Sequence, residues 1–144
     1  METISRYLGH EHEHCDTLFA DAENAVASRD WARAAELFGV FETDTLKHFA
    51  REEEVLFPAF EGRSGMRFGP TEVMRDEHAQ MRTVLEAMAA ALANRQGDGY
   101  LGFSETLLML MRQHNMKEEQ VLYPMAEQAL EDEQDEVVAR MTRL

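Results

Sequence analysis

Cysteine, proline and positive charge are all scarce in this sequence. Its 144 residues include one cysteine, three prolines and eight glycines, and 14 basic side chains stand against 28 acidic ones. A single thiol, Cys15, excludes an intrachain disulfide. The opening METISRYLGH lacks the basic-then-apolar pattern of an export signal, so a reducing cytoplasm is the expected compartment. The formal net charge of −14 opposes unspecific attraction to nucleic acid or to an anionic lipid surface, and neither is expected as a partner. No apolar run approaches the ~20 residues needed to cross a bilayer.

With so few breakers, the chain is dominated by Ala, Glu, Met, Leu and Arg, which are strong helix formers. An all-α fold follows. The breakers that do occur mark joints: SRD at 28–30 reads as a tight turn with Asp30 as N-cap, and EGRSGMRFGP at 61–70 and NRQGDG at 94–99 read as loops. Helices are predicted over about 3–28, 31–60, 71–94 and 100–130. The acidic remainder, 131–144, is expected to form a tail or a short fifth helix, since Val137, Val138 and Met141 restore some helical patterning.

What the sequence does hold is an echo. HFAREEEVLFP at 48–58 returns as HNMKEEQVLYP at 114–124, each reading His, three residues, Glu-Glu, one residue, Val-Leu, an aromatic and Pro. The offset of 66 residues also places Glu11-His12 on Glu77-His78. A two-helix unit is therefore used twice, in halves of about 1–64 and 67–130. Two helical hairpins that cannot bury their apolar stripes alone close on each other, which predicts an up-down-up-down four-helix bundle over residues 1–130 with approximate two-fold symmetry.

Helical periodicity shows where the repeated polar residues point. The second helix carries an inward stripe of Trp31, Ala34, Phe38, Phe41, Thr45, His48, Glu52, Val55 and Ala59 in steps of three and four. The fourth repeats it as Leu107, Met111, His114, Glu118, Val121 and Met125, and His78 sits on the stripe of the third helix with Met74, Met81 and Leu85. In the first helix, HEHEH at 10–14 offers three histidines, with His12 about 160–200° around the helix from the other two. Only His12 continues into Ile4, Leu8, Cys15 and Phe19, so His12 is taken as the inward residue and His10 and His14 as surface residues.

A buried carboxylate costs several kcal/mol unless a cation accompanies it, and no Lys or Arg lies on these stripes. A His and a Glu at i and i+4 share one helix face about 6 Å apart along the axis. Four imidazoles and two carboxylates, His12, His48, Glu52, His78, His114 and Glu118, thus suit two metal ions bridged by the acids. Iron fits mixed nitrogen and oxygen ligation, and manganese or zinc could substitute. Glu53, Glu54, Glu119 and Gln120 read as solvated helix faces. Glu11 and Glu77, at the stripe edge, could orient a ligand imidazole.

On these residues, over about 4–126, the sequence resembles the hemerythrin-like HHE cation-binding family: His12, then His48-x3-Glu52, then Glu77-His78, then His114-x3-Glu118. The resemblance implies a non-haem pair of iron ions, oxo- or hydroxo-bridged, with His12 and His48 on one ion, His78 and His114 on the other, and Glu52 and Glu118 bridging. Two departures stand out. The oxygen-carrying members have a second His one turn before the third-helix ligand, where this chain has Met74, and an Asp five residues after the last His, where this chain has a Glu at four. With one imidazole fewer, an additional coordination position is expected to be open, which argues against reversible oxygen carriage. The expected role is binding or sensing a small ligand such as O2, NO or peroxide. The alternative is a di-iron oxidoreductase or iron-handling protein that removes peroxide or nitric oxide or helps repair iron–sulfur clusters. No general acid or substrate cleft in the sequence favours the enzymatic class.

Overall fold

The structure, a computed structural model, describes residues 2–144. Five helical rods account for nearly all of it. The first, α1, is Ile4–Ala27; the second, α2, runs through Trp31–Arg51, a π-helical turn Glu52–Leu56 and Phe57–Ser64. The third, α3, is Pro70–Ala93; α4 runs through Gly97–Lys117, a second π-helical turn Glu118–Leu122 and Tyr123–Ala129; and α5 is Gln134–Thr142. Neighbours in sequence pack as antiparallel pairs, α1 with α2 and α3 with α4, and the bundle closes through α1 against α4 and α2 against α3. Among the described residues no helix is long and apolar enough to cross a membrane.

Local chemistry fixes the joints. Thr3 Oγ1 caps α1 by accepting from the Arg6 N–H at 3.1 Å, and Asp30 caps α2 by accepting from the Arg33 N–H. The two hairpin turns repeat one another: Arg29 and Arg95, 66 residues apart, both take the left-handed conformation. Each lets the next N–H return to a carbonyl five residues back, Asp30 to Ala25 and Gln96 to Ala91. The turn at 28–30 is as expected, whereas the loops expected at 61–70 and 94–99 are shorter than the sequence suggested. Helix α2 continues to Ser64 and stops at Gly65, whose φ of 75° suits glycine, while α4 already starts at Gly97.

The π-helical turns are the main departure from the expected pattern. The N–H of Phe57 bonds to the carbonyl of Glu52, and that of Tyr123 to the carbonyl of Glu118, five residues back instead of four. Pro58 and Pro124 explain why. Each lacks an N–H for the carbonyl four residues back and crowds it with its ring, so the turn before the proline widens. The extra residue shifts every later position by one. Val121, expected inside, is 50% exposed; Ala59 and Met125, also expected inside, are only half-buried. Phe57, Phe60, Leu122, Tyr123 and Ala126 occupy the core instead.

The core comes in two apolar clusters. One, toward the hairpin turns, includes Cys15, Phe19, Phe38, Phe41, Phe49, Met81 and Leu107. The other includes Ile4, Leu8, Phe57, Phe60, Met74 and Tyr123, and is sealed by Val137, Val138 and Met141 of α5. Helix α5 is held by hydrogen bonds, Ile4 N–H to Gln134 Oε1 and Arg51 Nε–H to the Met141 carbonyl, both at 2.9 Å. Between the clusters lies a layer of buried polar side chains.

Candidate metal centre

That layer is the set of six residues expected from the repeat. His12, His48, Glu52, His78, His114 and Glu118 are at most 5% exposed, and each of α1 to α4 contributes at least one. His14, by contrast, is exposed and pairs with Asp44 at 2.8 Å, and His10 is also at the surface. Two groups of ligand atoms form, each with all members within 4.8 Å: one from Glu52, His78, His114 and Glu118, the other from His12, His48 and Glu118.

Each imidazole is oriented from behind by a carboxylate. His48 Nδ1 donates to Glu11 at 2.8 Å and His114 Nδ1 to Glu77 at 2.9 Å. His78 Nδ1 donates to Glu53 at 2.7 Å and His12 Nδ1 to Glu119 at 2.6 Å. The four pairs are two pairs repeated at the 66-residue offset. Glu53 is therefore not the solvated residue that the sequence pattern suggested, whereas Glu119 is exposed as expected and yet bonds to His12. A helical wheel places them off the inward face of their own helices, but each reaches across to a histidine on a neighbouring one. Cations hold most of these acids: Arg51 binds Glu11, Lys117 lies 2.5 Å from Glu77, and Arg82 lies 2.8 Å from Glu53. Burial opposes ionisation of Glu53, but its bonds to His78 and Arg82 outweigh that and bring its pKa down to about 2. Glu77 is lowered in the same way by Lys117 and His114.

Because a carboxylate can only accept, each Nδ1 carries the hydrogen and each Nε2 presents a lone pair to the interior. His12 Nε2 and His48 Nε2 face each other at 3.2 Å. His78 Nε2, His114 Nε2, Glu52 Oε1 and Glu118 Oε2 are fully buried without a hydrogen-bond partner. His78 Nε2 is 3.1 Å from Glu52 Oε1 and His114 Nε2 is 3.2 Å from Glu118 Oε2, yet neither pair has hydrogen-bond alignment. Native interiors rarely leave such atoms unpaired, and this many converging on one place calls for a cation. The donor set fits a metal.

Without metal, protons must supply that charge. Burial disfavours a charged His48, but Glu52, Glu11 and Glu118 outweigh it and raise its pKa well above the usual imidazole value. The same balance, with Glu118 and Glu52 foremost, lifts His114 to about 9. Burial and the charge of Glu118 raise Glu52. Burial also opposes ionisation of Glu118, but Glu52 and the positive charge of His114 outweigh it and take its pKa well below the ordinary range.

A family model, the hemerythrin HHE cation-binding domain, matches residues 3–144. This chain belongs to the hemerythrin HHE family. No curated protein and no solved structure matches it. As a hemerythrin HHE domain with a buried His and Glu cluster, it is a metal-binding protein.

One residue of this HHE centre escaped the sequence reading altogether. The Tyr123 hydroxyl lies 2.7 Å from Glu52 Oε2, 2.8 Å from Glu118 Oε1 and 3.2 Å from His12 Nε2. Burial and the two carboxylates raise its pKa well above the usual phenol value. The available signal was Pro124 inside a predicted helix. It implies the wider turn that puts position 123 on the face of Glu118.

Proposed function

We propose that the four histidines and two glutamates hold a pair of iron ions, and that this pair binds a small ligand such as O2, NO or peroxide. The observation that carries the reading is the convergence of unpaired Nε2 and carboxylate atoms in a layer closed above and below by apolar side chains. His12 and His48 would serve one ion and His78 and His114 the other, with Glu52 and Glu118 between them. Mixed imidazole and carboxylate donors suit iron among the common metals. Iron bound there would supply electrons and an open coordination position.

The protein's own contribution is orientation and dryness. Glu11, Glu53, Glu77 and Glu119 fix the imidazole tautomers so that every inward nitrogen is a donor to metal. The phenyl ring of Phe49 stacks on the His78 imidazole at 4.0 Å between centroids and that of Phe57 lies 5.8 Å from it, both rings buried, which keeps water from that half. A cavity of about 180 Å³ lies between α3 and α4, lined by Pro70, Val73, Met74, Lys117, Val121 and Leu122, none of them a residue of the polar layer.

Anaerobic loading with ferrous iron, metal counting and an absorption spectrum before and after admitting air test the reading. Two irons per chain and an oxygen-dependent absorption change are expected. A folded chain that takes up no iron removes it.

A further inference from the structure

The 66-residue repeat is imperfect at one place inside the metal layer. Phe57 and Tyr123 are equivalent positions, each five residues after a glutamate in a π-helical turn. Their rings are placed alike: Phe57 stacks on His78 with centroids 5.8 Å apart and planes 23° apart, and Tyr123 stacks on His12 at 5.8 Å and 25°. The difference is one oxygen atom, and it points into the layer.

We propose that Tyr123 is itself a ligand, through its phenolic oxygen, of the ion held by His12 and His48. The proposal rests on the metal reading above and adds a donor that it does not contain. Three observations carry it. The tight group around His78 and His114 gathers four ligand atoms, whereas that around His12 and His48 gathers three, because Glu52 Oε1 lies nearer His78 at 3.1 Å than His48 at 3.4 Å. The Tyr123 oxygen adds a donor on the side that is less fully supplied.

Second, the spacing is that of a coordination shell. Donors about 2.1 Å from one transition-metal ion stand ~3.0 Å apart when they are adjacent octahedral neighbours. His12 Nε2 is 3.2 Å from His48 Nε2 and 3.1 Å from Glu118 Oε1, and the Tyr123 oxygen extends the set at 3.2 Å from His12 and 2.8 Å from Glu118.

Third, the hydroxyl is surrounded by more acceptors than one O–H can serve. His12 Nε2 presents a lone pair because Nδ1 carries its hydrogen, and Glu52 and Glu118 present oxygens on the other sides. A cation at the common point satisfies all of them. On ligation the O–H bond is replaced by an O–metal bond and the proton leaves to solvent. Tyrosine oxygen is an established donor to ferric iron. The half with His78 and His114 gains no such donor from Phe57 and keeps the open position for an external ligand.

The test is the spectrum of the iron-loaded full chain after oxidation to the ferric state, with metal counted on the same sample. A phenolate-to-iron charge-transfer band in the visible, with tyrosinate modes enhanced in the resonance Raman spectrum, is expected. In Tyr123→Phe the band and modes are lost, and iron at one of the two sites binds at least about tenfold more weakly. Two ferric ions without the band overturn the proposal and leave the metal centre standing. A band that persists in Tyr123→Phe also overturns it, by assigning the signal to Tyr7 or Tyr100. No iron uptake overturns the centre and the proposal together. If Tyr123→Phe does not fold, Tyr7→Phe and Tyr100→Phe decide instead: both should keep the band, and its loss in either overturns the proposal.

Discussion

Glu53 and His78 share a 2.7 Å hydrogen bond, and Arg82 grips the same carboxylate from the far side at 2.8 and 2.9 Å. The repeat reproduces the first bond between Glu119 and His12 but not the second, because the position equivalent to Arg82 is Asp16. One imidazole is thus braced by a held carboxylate and the other by an acid that is 50% exposed at its side chain. Glu53→Ala should weaken iron binding by about 10–100-fold, and Glu119→Ala by less. Competition with a chelator of known affinity gives both numbers, and equal losses would show that Arg82 adds nothing.

The choice among the first helix's histidines has a direct check. His12→Ala should lower the iron content from two per chain, whereas His10→Ala and His14→Ala should leave it unchanged, since both lie outside the core. Glu118→Ala should lose metal and also destabilise the metal-free protein by about 3–5 kcal/mol, because it removes the negative partner of buried histidines. Metal analysis and urea unfolding separate the two effects.

Acidity should act in opposite senses on the empty and loaded forms. His48 and His114 have raised pKa values, so the stability they contribute without metal is complete below about pH 6.5 and is lost as pH climbs toward 9. Glu53, Glu77 and Glu118 have lowered values, so theirs is complete above about pH 4.5 and is lost on further acidification. Glu52, raised, withdraws stability as pH rises past about 4.5. The metal-free Tm should therefore peak between about pH 4.5 and 6.5, toward the lower end. Metal must displace those protons, so its affinity should rise with pH over the same range, with release below about pH 5. Parallel Tm profiles for the two forms would argue against histidine ligation.

Pro124 widens the turn that carries Tyr123 inward. Pro124→Ala restores a donor for the carbonyl four residues back and favours the ordinary helical register. Iron binding should weaken by about tenfold while the Tm of the metal-free protein does not fall, a trade of function against stability. A Tm drop with intact iron affinity would show that the wider turn serves packing alone.

The repeat made most of this molecule readable. A single offset gave the bundle, the pairing of its halves and six inward side chains, because periodicity on one helix reports which face is buried. What it could not report lies between helices or beyond a change of pitch. Glu53 and Glu119 look solvent-facing on their own rods and are claimed by histidines on others. Val121 and Tyr123 exchange places because the helical wheel assumes four-residue bonding that Pro124 prevents. Both errors come from treating each helix as regular and isolated.

The last helix contributes no donor atom, yet it is tied to one. The Met141 carbonyl accepts from Arg51, Arg51 grips Glu11, and Glu11 takes the Nδ1 hydrogen of His48. Four residues thus form a tether from the chain's end to an inner imidazole. Shortening the protein at its C-terminus should slacken that ring without removing any of the six proposed ligands, so the final dozen residues would serve the proposed coordination as well as the packing.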